Sequence, residues 1–185
     1  MEQKKLNLID IKLHGDRLLV FNPKDVERLR CNHRIVGAFI GPLARAPLQN
    51  SFLGLPLLLR PEEAELLTSK GLARISSSEG NASTWSFPDT AAEWIKYKVF
   101  EYLWHQGLFV TPGLKFGGHY LAYPGDPLRY HSHYIVNARD KETPLTPVDL
   151  VSMGRLAINV KKVYVLASPD DSGNINVFSI HWAGF

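Results

Sequence analysis

The chain has 185 residues, enough for one large domain or two small ones, and at 45% hydrophobic it can bury a core. Its 21 basic and 18 acidic residues leave a formal charge of +3, which permits an anionic partner but excludes a histone-like electrostatic binder. The single cysteine, Cys31, excludes an intramolecular disulfide, suits a reducing compartment and reads as a small buried packing residue.

The first twenty residues interrupt their apolar positions with charge every few residues, so neither a signal-peptide core nor a membrane span is expected, and the protein reads as soluble and intracellular. Apolar and polar positions alternate in LNLIDIKL and RLLVF, predicting two short strands within residues 6–21 around a turn at His14-Gly15-Asp16. A helix follows, with Asn22 as N-cap, Pro23 at its first position and Val26, Leu29 and Arg30 at helical spacing. Residues 41–59 carry too many prolines and glycines for a long regular element. RPEEAELLTSKGL predicts a second helix, with Pro61 at its start, Glu62 and Glu63 in the first turn, Lys70 in the last and Gly71 as its stop.

Residues 76–89, SSSEGNASTWSFPD, are small and polar and predict a flexible linker, with Trp85 and Phe87 able to pack back onto a neighbour. The division expected is an N-terminal α/β domain over 1–75, the linker, and a second domain over 90–185. The second domain opens with a helix, for which Thr90 is the N-cap, Glu93 completes a capping box and Gly107 is the terminator. FVTPGLKFGGHYLAYPGDP then predicts a strand broken by glycines, and HSHYIVNAR a second strand. TPVDLVSMGRLAINV predicts a helix capped by Thr146, KKVYVLAS a buried strand, and NINVFSIHW a last strand reached through the turn PDDSGN. The fold class is α+β, without repeats or heptads.

The candidate chemistry lies in YPGDPLRYHSHYIV, residues 123–136. In an extended segment His131 and His133 would face the same way, as in His-x-His zinc pairs, with Asp126, His119 and His181 as possible third ligands among which spacing does not choose. Equally, the two imidazoles serve as hydrogen-bonding groups at a strand end. The stiff Pro124-Gly125-Asp126-Pro127 turn can fold Tyr123 back toward His131. Lys161 and Lys162 precede a buried strand, where alternation would point one to solvent and one into a cleft as a fixed charge suited to phosphate. Tyrosine, histidine and lysine together suit RNA self-cleavage. A base takes the proton of the 2′-hydroxyl, an acid protonates the departing 5′-oxygen and a cation steadies the phosphorane, with no metal required. Histidine, with a reference pKa near ~6.5, suits the acid, whereas tyrosine, near ~10, needs a positive neighbour to act as base.

GLKFGGHYLAYPGDPLRYHSHYIV followed by GRLAINVKKVYVLAS resembles the catalytic domain of the tRNA-splicing endonucleases, in the form of the eukaryotic subunit that cuts the 3′ splice site. GPLARAPLQNSFLGLPLLLRPEEAELL resembles that subunit's N-terminal domain. The resemblance implies a restriction-endonuclease-like catalytic domain in which Tyr123 is the general base, His131 the general acid and Lys162 the transition-state stabiliser. It further implies that Arg155 and Trp182 clamp splice-site bases by stacking. No cofactor or metal is implied. The implied partners are precursor tRNA, a second catalytic subunit that cuts the 5′ splice site, and two non-catalytic subunits of a nuclear heterotetramer, with the turn at Pro169-Asp170-Asp171 docking on partners. His119 departs from the family pattern, which favours an acidic residue there. The alternative reading is a non-catalytic scaffold or RNA-binding subunit of the same fold, which would be expected to lack one of Tyr123, His131 or Lys162.

Overall fold

The computed structural model of the protein describes residues 8–43, 53–77 and 85–182. Two compact units, Met1–Phe87 and Pro88–Phe185, divide the chain. Half of the predicted linker, residues 78–84, lies outside the described residues, as do residues 6 and 7 of the first predicted strand.

In the first unit, β1 (Ile9–His14) and β2 (Arg17–Val20) form an antiparallel hairpin closed by Gly15, whose φ of 60° suits the tight turn. Ile9, Ile11 and Leu13 alternate into the core. Helix α1 (Pro23–His33) begins as its sequence predicts, with the Asn22 side chain accepting from Lys24 N. Cys31 corrects its prediction: it is an exposed free cysteine, because the buried face of α1 is carried by Asp25 and Leu29. Strands β3 (Ala38–Gly41) and β4 (Gly54–Leu59) follow, then α2 (Pro61–Ser69) and β5 (Ala73–Ser77), giving the sheet order β3-β4-β2-β1-β5. Glu63 of α2 is 1% exposed yet satisfied, accepting from Arg60 N at 2.9 Å and Gly37 N at 3.2 Å. Trp85 and Phe87 stack on each other, their ring centroids 6.0 Å apart.

In the second unit, Thr90 and Glu93 form the expected capping box at the start of α3 (Ala91–His105). Strand β6 (Phe109–Pro112) leads through a 3-10 turn at Leu114–Phe116 to β7 (Tyr120–Tyr123), so the predicted glycine-broken strand is two antiparallel strands. Then come β8 (Tyr134–Ala138), α4 (Pro147–Asn159), β9 (Val163–Pro169) and β10 (Ile175–Ile180). The sheet order is β10-β9-β8-β7-β6, with β8 and β9 parallel and the other pairs antiparallel. Helix α4 is the crossover between the two parallel strands. The two helices cover opposite faces: Tyr120 packs on Phe100 of α3 and donates to Lys96 O, whereas neighbouring Leu121 shares a core with Ala157 of α4. Among the described residues no helix is long and apolar enough to cross a membrane.

Two local predictions are corrected here. His131, Ser132 and His133 precede β8 and lie outside regular structure. Nor do Lys161 and Lys162 belong to a strand: they close α4 in a Schellman turn, with Lys161 N bonded to Ile158 O, Lys162 N bonded to Ala157 O, and Lys161 left-handed at φ 53°.

Candidate active site

Three strands converge at one end of the second sheet. Ala122, Tyr134 and Val163 are paired across β7, β8 and β9 as the last registered row. Just beyond it, His133 N donates to Ala122 O at 3.0 Å and Val163 N to His133 O at 2.9 Å. Tyr123, His133 and Lys162 therefore form the next row, and His131 sits two residues further along the chain. Tyr123, like Phe116, Leu156 and Ile180, packs against the core that Leu121 and Tyr164 form with Ala157 on the α4 side. The Lys162 ammonium lies over the Phe116 ring, 5.6 Å from its centroid, which places it on that same side.

Lys162 reaches further. Its Nζ donates to the backbone carbonyl of Ser132 at 2.9 Å, tying the end of α4 to the segment that carries His131. Ser132 is buried and its neighbours His131 and His133 are exposed, so this residue anchors the segment while both imidazoles stay open to solvent. The Schellman turn explains which lysine is turned inward: Lys161, in the left-handed position, is exposed, and Lys162 is half-buried. Beneath Lys162, the Tyr164 hydroxyl donates to Gly117 O at 2.7 Å and closes the turn that holds Phe116. Burial pushes the Tyr164 phenol above its ordinary value, which keeps it a donor in that bond. Tyr123 is held differently, its hydroxyl accepting from Thr111 Oγ1 at 3.2 Å.

The loop between Tyr123 and His131 is braced from within. Asp126 Oδ1 accepts from Leu128 N at 2.8 Å, and Asp126 O accepts from Arg129 N and Tyr130 N. The Tyr130 ring lies so close to Gly125 that a Cβ there would stand 2.6 Å from its Cδ2 and Cε2. Only glycine admits that contact.

Arg155 and Trp182 come together as a pair, the guanidinium carbon 5.5 Å from the ring centroid and both side chains exposed. Gly154 lets the indole approach α4, since a Cβ there would stand 3.2 Å from Trp182 Cε3. Trp182 and Lys162 line the same cavity of about 240 Å³, together with Lys161, Ile180 and His181. The indole of the pair and the inward lysine thus open onto one surface, suited to an unpaired base beside a phosphate.

His119 lies elsewhere. Its Nδ1 accepts from Ala138 N at 3.1 Å, and its ring lines a different cavity with Lys96, Asn137 and Arg139. Asp126 is committed to its turn. Among the described residues no three His, Cys, Asp or Glu side chains gather as a metal centre would require. Sequence reasoning missed Thr111, Phe116, Ser132 and Gly154. Of these only Gly154 carried a signal, as an isolated glycine inside a helical pattern.

Comparison with known proteins finds matches in both units. Residues 9–78 match the family described as TSEN34-like, N-terminal domain, and residues 93–177 the tRNA intron endonuclease, catalytic C-terminal domain. A tRNA-splicing endonuclease of Saccharolobus solfataricus is 33% identical over 134 residues, covering 69% of this chain and 74% of that protein. A probable tRNA-splicing endonuclease subunit sen34 of Schizosaccharomyces pombe aligns over the whole of both chains at 27% identity. The Mus musculus tRNA-splicing endonuclease subunit Sen34 is 41% identical over 99 residues, or 54% of this chain, and the match spans only 31% of that longer protein.

Proposed function

Since this chain belongs to the tRNA-splicing endonuclease family, we propose that it is the subunit that cuts intron-containing precursor tRNA at the 3′ splice site without a metal ion. The observation that carries the reading is the hydrogen bond from Lys162 Nζ to Ser132 O, which joins the cation to the chain segment bearing His131 at the strand end where Tyr123 stands.

In this mechanism Tyr123 removes the proton of the ribose 2′-hydroxyl, whose oxygen attacks the adjacent phosphorus. The bond from phosphorus to the 5′-oxygen breaks as His131 gives that oxygen a proton, and Lys162 holds the charge on the non-bridging oxygens. The products are a 2′,3′-cyclic phosphate and a 5′-hydroxyl. No water enters and nothing is oxidised or reduced. Arg155 and Trp182, paired with each other, offer an exposed stacking surface that clamps a splice-site base.

The working form is a nuclear heterotetramer with a second catalytic subunit for the 5′ splice site and two non-catalytic subunits. Strand β10 supports a partner contact, since it is the sheet edge and exposes Val177 and Phe178, the latter 65% accessible. The turn at Pro169-Asp170-Asp171 supplies a second docking point. The test is cleavage of precursor tRNA by the assembled complex in excess chelator, with the cut position and end groups determined. Continued cleavage at the 3′ splice site with cyclic phosphate ends is expected. Activity abolished by chelator, or ends bearing a 5′-phosphate, would defeat the reading.

A further inference from the structure

Thr111 stands on β6, the sheet edge opposite β10. In the antiparallel register Phe109 pairs with Tyr123 and Thr111 with Leu121, so Thr111 is the diagonal neighbour of Tyr123 on the same face of the sheet. Its hydroxyl donates along that face to Tyr123 Oη at 3.2 Å.

We propose that Thr111 is a positioning residue for the RNA cleavage step, holding the phenolic oxygen of Tyr123 at the angle from which it meets the ribose 2′-hydroxyl. The inference rests on the assignment of Tyr123 as the base. As the base, Tyr123 carries no hydroxyl hydrogen, so its oxygen, which lies on the ring axis, acts only as an acceptor. The Thr111 donor occupies one lone-pair direction. That leaves the remaining directions for the substrate, so the proton transfer begins with the oxygen held against Thr111. The ring packs against the core, and the Thr111 contact limits the remaining swing of its oxygen.

The experiment compares Thr111→Val, Thr111→Ser and Thr111→Ala in the assembled complex, alone and with Tyr123→Phe, in single-turnover cleavage of precursor tRNA. Thermal melts run in parallel. Valine matches threonine in shape and suits a strand. Thr111→Val is expected to slow cleavage at saturating RNA by about five- to tenfold, the scale of one neutral hydrogen bond, with KM unchanged. Thr111→Ser recovers most of the rate, and Thr111→Val causes no further loss where Tyr123 is already phenylalanine. Should the valine variant fail to fold, the serine and alanine variants carry the same comparison. Wild-type rates in Thr111→Val beside a slow Tyr123→Phe would overturn the role of Thr111 alone, as would an equal loss in the Tyr123→Phe background. Wild-type rates in Tyr123→Phe would overturn the base assignment and this inference with it.

Discussion

Replacing Lys162 with methionine removes the ammonium and keeps a side chain of similar reach against Phe116, so two quantities change separately. The first is stability. The bond from Nζ to Ser132 O at 2.9 Å is charge-assisted. Lys162 is half-buried and water can partly replace it, so its loss should cost about 1 kcal/mol, below the usual range for a charged partner, and lower the melting temperature of the second unit by about 4–8 °C. The second quantity is the chemical step. If the ammonium holds the non-bridging phosphate oxygens, its removal costs a further 2.7–4 kcal/mol or so, a factor of roughly 10² to 10³ in rate. Thermal melts and single-turnover cleavage at saturating RNA, well below the variant's melting point, separate the two. A folded variant that cuts within about threefold of wild type would refute the reasoning. So would a rate loss no larger than the unfolded fraction.

Gly125→Ala brings a Cβ to 2.6 Å from the Tyr130 ring and should slow cleavage by displacing the loop before His131, while Tyr130→Ala in the same chain relieves the contact and restores the rate. Kinetics of the single and double variants check the coupling. Trp182→Ala should weaken precursor tRNA binding by about 1–3 kcal/mol, the scale of one base stacked on an aromatic ring, with Arg155→Ala similar and the double variant little worse. Filter binding at fixed salt measures this. Hydrogen bonds from Asn174, Ser172 and Gly173 hold the Asp170 carboxyl below its ordinary value of 3.8. A group depressed on folding stabilises the fold above its unfolded value and loses that contribution as pH falls through the folded one. Asp170→Asn should therefore destabilise the second unit at neutral pH, and the difference should shrink as pH falls below 3.8 through the lowered folded value, as denaturant melts across pH would show.

Helix ends were the most legible part of the fold. Asn22, Thr90 and Thr146 cap α1, α3 and α4 through bonds to nearby residues, so the information is local. Strands β3 and β5 were not legible. Four residues, AFIG, carry no periodicity. ARISS is half polar because Arg74 and Ser76 hydrogen-bond across to Asp10 and Lys12 of β1, a pairing that exists only once a strand 64 residues away is in place. The same limit applies to the site. Tyr123, His131 and Lys162 are proposed from their chemical types and the family resemblance, whereas strand alternation does not separate the two lysines. A left-handed Lys161 at the end of α4 separates them. The supports of the site, namely the Ser132 carbonyl, the Phe116 ring and the Thr111 hydroxyl, come from separate elements, and no spacing along the chain marks them.

The central claim is proton donation by His131 to the departing 5′-oxygen, and a precursor tRNA with sulfur in place of that oxygen at the 3′ splice site tests it most directly, because a thiolate leaves without a proton. His131→Ala is expected to cut the oxygen substrate about 10² to 10⁴ times more slowly than wild type and the sulfur substrate at close to the wild-type rate. Equal impairment on both substrates would contradict it.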